Sequence, residues 1–148
     1  MPKITKVEPI VLKIPFSAGP LGKGLMPGAW SALEIVLVRV ETDDGLTGWG
    51  ESFGYFCSSA VAAAVRDMVA PVAVGQDASD PAALNRILQQ RLHLHGRYGL
   101  TIFAVSGLDI ALWDLAGKRS GTSLTDLLGG NCRSATRGRV PAYASLMR

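Results

Sequence analysis

Residues Ala104–Gly129 read AVSGLDIALWDLAGKRSGTSLTDLLG. Ala104, Leu108, Ala111 and Leu115 recur at helical spacing, and Val105, Leu112 and Ala116 widen their stripe. An apolar arc this broad does not suit a helix with one wet face, so a helix over about Thr101–Arg119 is expected to lie between two bodies. Gly107, Ala111 and Gly117 are small enough to let those neighbours come close. Asp109 and Asp114 are five residues apart, about 140° around a helix, so they cannot serve one metal or one substrate from a single face. Asp114 stands four residues before Lys118 and is placed to pair with it. Both aspartates are read as structural.

Working outward, two further helices precede this one. An Ala-rich helix is expected over about Ser59–Val69, ended by Pro71. A second starts at Asp80 as N-cap with Pro81 in the first turn, and carries Leu84, Ile87, Leu88, Arg91 and Leu92 at i, i+3, i+4 spacing. Upstream the period is two. Ile4–Ile14 is a strand with Ile4, Ile10, Leu12 and Ile14 on one parity and Val7 and Val11 on the other, closed by Pro15. Ser31–Glu51 is a hairpin turning at Asp43-Asp44-Gly45, a sequence that tolerates positive φ. Val36, Val38 and Val40 share one of its faces; Leu46, Gly48 and Gly50 alternate with Thr47, Trp49 and Glu51 on the return strand. The order β-β-β-α-α-α predicts an α+β fold: a three-stranded antiparallel sheet followed by a three-helix layer. A Gly/Arg-rich connection, Gly129–Gly138, then leads to VPAYASLMR at Val140–Arg148, which reads as a fresh strand with no partner in the chain. Residues 1–130 are taken as one domain and 131–148 as linker and the first strand of another.

The 148 residues are 48% hydrophobic and 18% charged, enough to bury a core and too apolar for a disordered chain. A formal charge of +3 is mild, and the basic patch Arg133, Arg137, Arg139 has no interleaved aromatic residue to stack bases, which argues against nucleic acid. The longest apolar run, around Ala60–Val74, is broken by Arg66, Asp67 and Pro71, and the N-terminus lacks the compact apolar block of a signal peptide; a soluble, cytoplasmic protein away from membranes is expected. Cys57 and Cys132 form no CxxC pair and are read as free thiols, a disulfide or metal pair being the lesser alternative. His93 and His95 have no acidic or cysteine partner at ligand spacing. Gly45–Gly50, GLTGWG, has the wrong glycine order for a dinucleotide loop and lies on a hairpin, and there is no GxSxG elbow.

What remains is two loops. Ser17–Trp30 has four glycines and two prolines in fourteen residues, with Leu21, Lys23, Leu25, Met26 and Trp30. Ser52–Cys57, SFGYFC, carries Phe53, Tyr55 and Phe56. Aromatic residues in glycine-hinged loops suggest a lid that keeps water from a pocket; for any single ring, packing back on the sheet is the alternative.

The Ala104–Gly129 stretch closely resembles the N-terminal-domain signature of the enolase superfamily, in its mandelate racemase/muconate lactonizing enzyme branch. The strands, the flexible loop, GWGES at Gly48–Ser52 and the strand-like VPAYAS fall in the family's order. The resemblance implies an α+β domain capping a modified (β/α) barrel, with the two loops closing over the substrate. It also implies removal of a proton next to a carboxylate, with Mg²⁺ stabilising the ene-diolate and a Lys or His as base. Racemases or epimerases, acid-sugar dehydratases and cycloisomerases are the outcomes, and the dehydratase is favoured. On this reading the substrate is a small carboxylate such as an acid sugar. Lys23 steers it, Trp30, Tyr55 and Phe56 wall the pocket, and Glu51 lies beside the loop. The family's base and metal ligands sit on later barrel strands, so this chain is expected to lack both, to be inert alone, and to need the barrel domain as its partner, in a homo-oligomer. The competing expectation is a non-catalytic α+β binding or oligomerisation module that uses the third helix as its interface.

Overall fold

The computed structural model describes residues 1–16 and 31–129. β1 (Ile4–Pro15), β2 (Ala32–Thr42) and β3 (Thr47–Ser52) form an antiparallel sheet in the order β1-β2-β3. Helices α1 (Ser58–Ala64), α2 (Ala70–Ala73), α3 (Pro81–Arg91), α4 (Leu100–Ser120) and the short α5 (Leu124–Leu127) follow. The expected α+β order is therefore present. The Ser17–Trp30 loop, with Lys23 and Trp30, lies outside the described residues, as do Cys132, the arginine patch and Val140–Arg148.

The β2–β3 turn is built as its residues require. Gly45 sits at φ 84°, and the Thr42 and Leu46 backbones close the hairpin, Thr42 N–H donating to Leu46 O at 3.1 Å. Val36, Val38 and Val40 of β2 are fully buried on the helical side of the sheet. α4 lies across that side and buries Ala104, Val105, Leu108, Ala111, Leu112 and Leu115. Each buried leucine contributes roughly 1.5–3 kcal/mol, so this contact is the main source of cohesion. Glycines let it form. A Cβ on Gly50 would overlap Gly107 O and come within 2.7 Å of Ala111 N, and one on Gly48 would lie 2.6 Å from Leu115 Cγ. By length and composition α4 would also suit a membrane span, more so than Ala60–Val74, but here Ala104, Val105, Leu108, Ala111, Leu112 and Leu115 fill the core under the sheet, with Leu100 and Ile110 exposed.

Three local readings need correction. β1 carries a bulge between Ile4 and Lys6, where the register steps from Ile4↔Thr42 to Lys6↔Glu41. The extra residue reverses parity, so Ile4 and Val7 both face the helices while Ile10, Leu12 and Ile14 share the outer face with Leu33, Ile35 and Leu37. Pro71 does not end the first helix. A π-helical turn at Val65–Val69, in which Ala70 N–H reaches back to Val65 O, widens the helix where the proline ring has to fit, and α2 continues to Ala73. In α3 Leu84 and Leu88 are buried, as is Leu92 just beyond it, but Ile87 and Arg91 face solvent. Its start is as expected: Asp80 Oδ1 accepts from Ala83 N–H at 2.9 Å.

Candidate functional site

The segment Phe53–Cys57 joins β3 to α1 and is held from three sides. Gly54 is buried against β2; a Cβ there would lie 2.7 Å from Val36 Cγ2 and 3.4 Å from Ser58 Cα. It has no positive φ and serves as a close-contact residue. Cys57 N–H donates to Gly54 O at 3.1 Å, closing a tight turn. Next along, the Ser58 hydroxyl donates to Glu34 Oε2 at 2.5 Å, and Lys13 stands 3.6 Å from the other oxygen of that carboxylate. Glu34 thus ties the start of α1 to β2 and places negative charge near the helix N-terminus, where it is favoured. Cys57 is a free thiol, partly buried in a small cluster with Val36, Val61, Ala62 and Phe103.

The aromatic side chains form a chain of contacts. The Phe53 ring packs on Tyr55 at 4.8 Å between centroids and on Phe103 of α4 at 4.9 Å, both tilted, within the range that stabilises aromatic pairs. Phe53 and Phe56 are exposed and Tyr55 is half-buried. Phe56 has φ 58°, the left-handed region that a bulky side chain rarely occupies.

Of the expected site residues the structure brings Tyr55 and Phe56 together in this segment. Glu51 is exposed one strand-step earlier, across from Leu37 on the outer face of the sheet beside Trp49, whereas the rings of Phe53 and Phe103 join on α4. Phe103 was missed because it stands off the Ala104–Leu115 stripe. An aromatic residue at the edge of a buried helix, opposite an aromatic loop, is the signal that marks it. Glu34 reads in sequence as a polar position in a strand, and its role depends on a partner 24 residues away.

The carboxylates elsewhere are committed to structure. Asp109 accepts from Asn85 Nδ2 at 2.8 Å; Asp114 accepts from Trp49 N–H and Lys118. His93 Nδ1 lies 2.8 Å from Gln90 O, in a 3₁₀ turn with His95. Among the described residues no group of three or more His, Cys, Asp or Glu could hold a metal ion, so none of them supplies a Mg²⁺ site. An open groove of about 330 Å³ at the C-terminal end of α4, lined by Asp114, Gly117, Lys118, Gly121, Thr122 and Leu124, is remote in sequence from the aromatic segment.

Residues 23–129 match the family model for the mandelate racemase/muconate lactonizing enzyme N-terminal domain. The chain is 41% identical over 110 residues to D-galactarolactone cycloisomerase of Agrobacterium fabrum, covering 74% of this chain and 27% of that protein. It is 37% identical over 111 residues to arabinonate dehydratase of Saccharolobus solfataricus, covering 75% and 28%. The crystal structure of a member of the enolase superfamily from Polaromonas sp. JS666 superposes with a TM-score of 0.83 at 32% identity, over 99% of this chain and 37% of that one. The chain thus spans little more than a quarter of the length of these two relatives.

Proposed function

Because the chain belongs to the mandelate racemase/muconate lactonizing enzyme family, as its N-terminal domain, we propose that it is the capping part of a Mg²⁺-dependent enzyme that removes the proton next to a carboxylate. An acid-sugar dehydratase is favoured, with racemase, epimerase or cycloisomerase chemistry next. The observation that carries this reading is that about three quarters of the chain aligns with each of two relatives named for acid-sugar chemistry, over little more than a quarter of their length.

The proton to be removed is a very weak acid, so the reaction depends on stabilising the negative charge that develops on the carboxylate oxygens. The described residues hold no ligand set for a cation. In this proposal the metal and the base belong to the barrel portion that makes up the rest of the relatives' length. The role left to this chain is to wall the pocket and keep water from it, with Tyr55 and Phe56 as the apolar wall, Lys23 steering the carboxylate, Trp30 adding to the wall and Glu51 beside it. A cytoplasmic, homo-oligomeric enzyme completes the proposal; light scattering on the full-length gene product tests the assembly.

The activity test is to incubate that product with Mg²⁺ and a panel of aldonates, arabinonate and galactonate included, in D₂O. Dehydration converts an aldonate to a 3-deoxy-2-keto acid and one water; racemisation or epimerisation instead leaves deuterium on the carbon beside the carboxylate. Either product, abolished by EDTA, supports the reading. A full-length product that yields neither, with any acid sugar or its lactone, sinks it.

A further inference from the structure

We propose that Phe103 is a positioning residue and that Phe53–Cys57 is a preformed wall, not a lid that closes. This rests on the reading of Phe56 as a pocket residue. The frame begins in α4, which the Gly50–Gly107 and Gly48–Ala111 approaches lock against β3 with no room for adjustment. Phe103 projects from that fixed helix, carries Phe53 at 4.9 Å, and Phe53 carries Tyr55 at 4.8 Å. Within the segment Gly54 packs against Val36, and its other end is fixed by Cys57 N–H on Gly54 O and by Ser58 on Glu34, beside the cluster of Val36, Cys57 and Phe103.

Phe56 lies between these two anchors at φ 58°. A phenylalanine in a loop free to move would relax to negative φ, because the left-handed region brings its Cβ against the following carbonyl. Such a conformation persists only where the surroundings over-determine it. The strain at Phe56 and the anchoring on both sides are therefore one observation seen twice: the segment holds its shape before any ligand arrives, and Phe103 is the side chain through which α4 sets that shape.

Peptide-resolved hydrogen–deuterium exchange on the gene product at its native length, without ligand, tests this. In the wild type, the 53–57 segment is expected to exchange more slowly than an unstructured peptide. Phe103→Ala should speed that exchange about tenfold, the scale of a lost aromatic contact, while Val38–Val40 of β2, in the main core, stays protected. Phe103→Tyr, which keeps the ring, should restore protection; Phe103→Leu, which keeps apolar bulk without the ring, should not. Wild-type exchange at the unstructured rate overturns the proposal. So does full protection in Phe103→Leu, or acceleration in β2 as large as in the loop, which would make Phe103 a general core residue. Turnover of an aldonate by Phe56→Ala separates the two readings. If the frame behaves as expected but Phe56→Ala leaves kcat and KM unchanged, the preformed segment stands and its place in the pocket falls.

Discussion

The backbone N–H of Trp49, on β3, donates to Asp114 Oδ2 of α4 at 2.8 Å. The same oxygen accepts from Lys118 Nζ at 2.7 Å, and that ammonium also donates to Thr47 O at 2.8 Å. β3 is an edge strand, and edge strands present unpaired backbone groups that invite foreign pairing. Here one helical ion pair, set four residues apart, occupies that edge. Asp114 thus attaches sheet to helix layer by a polar contact, where the glycines attach them by shape.

Asp114→Ala is expected to destabilise the fold by about 1–3 kcal/mol, since it leaves the Trp49 N–H and the Lys118 ammonium without their charged acceptor. Asp114→Asn keeps an acceptor oxygen and should lose less. Urea unfolding followed by tryptophan fluorescence measures both; equal losses would mean that the Trp49 contact contributes nothing beyond the charge.

Gly50→Ala and Gly107→Ala should each destabilise by about 2–3 kcal/mol, because the added methyl overlaps backbone or a buried side chain and the helix would have to lift off the sheet. Gly45→Ala makes the useful contrast. Nothing lies near its Cβ, so its loss of about 1 kcal/mol would come from φ 84° alone. Thermal melts of the three variants order them; a Gly50→Ala melt no lower than Gly45→Ala would refute the close-packing account.

The elements that depend on neighbouring residues were readable from the chain: the Asp43-Asp44-Gly45 hairpin, the Asp80–Pro81 helix start and the broad apolar arc of α4. What escaped depends on partners distant in sequence. A bulge changes strand parity only relative to the strand it pairs with, so Ile4 could not be separated from Ile10 by alternation. Pro71 ends a helix by local rules, yet a π-helical turn absorbs it when Val65, Val69 and Ala73 all have a core to fill. Phe103 and Glu34 act on the aromatic segment from other elements, so the sequence around Tyr55 and Phe56 pointed to the loop without revealing what holds it.

Stability in acid should depend on Asp44. The Thr42 hydroxyl beside it and the Arg119 guanidinium, 2.9 Å away, hold its carboxyl below the ordinary 3.8. A group depressed on folding stabilises at pH above its unfolded value and loses that contribution as pH falls through the folded value. Asp77 is lowered by Ser79 and Asp67 by Arg66, in the same direction. Asp44→Asn is therefore expected to be less stable than wild type by a constant amount above pH about 5, with the gap closing below 3.8. Urea midpoints across that range check it; a gap that widens in acid would reverse the sign and remove Asp44 from the account.

Phe56 offers a separation of stability from activity. A bulky residue in the left-handed region costs about 1–2 kcal/mol, and asparagine is among the few side chains that tolerate it. Phe56→Asn should therefore hold or raise stability, by up to about 1 kcal/mol after the lost ring contacts are counted. On the proposed capping role the same change removes one ring of the pocket wall, so kcat/KM of the full-length gene product for an acid sugar should fall about tenfold, the usual scale for one apolar contact in a pocket. The melting temperature and kcat/KM of one preparation test both. A variant that is more stable and fully active would show that the strained conformation serves packing alone; one that is less stable and inactive would show that the ring, and not the backbone, holds the segment together.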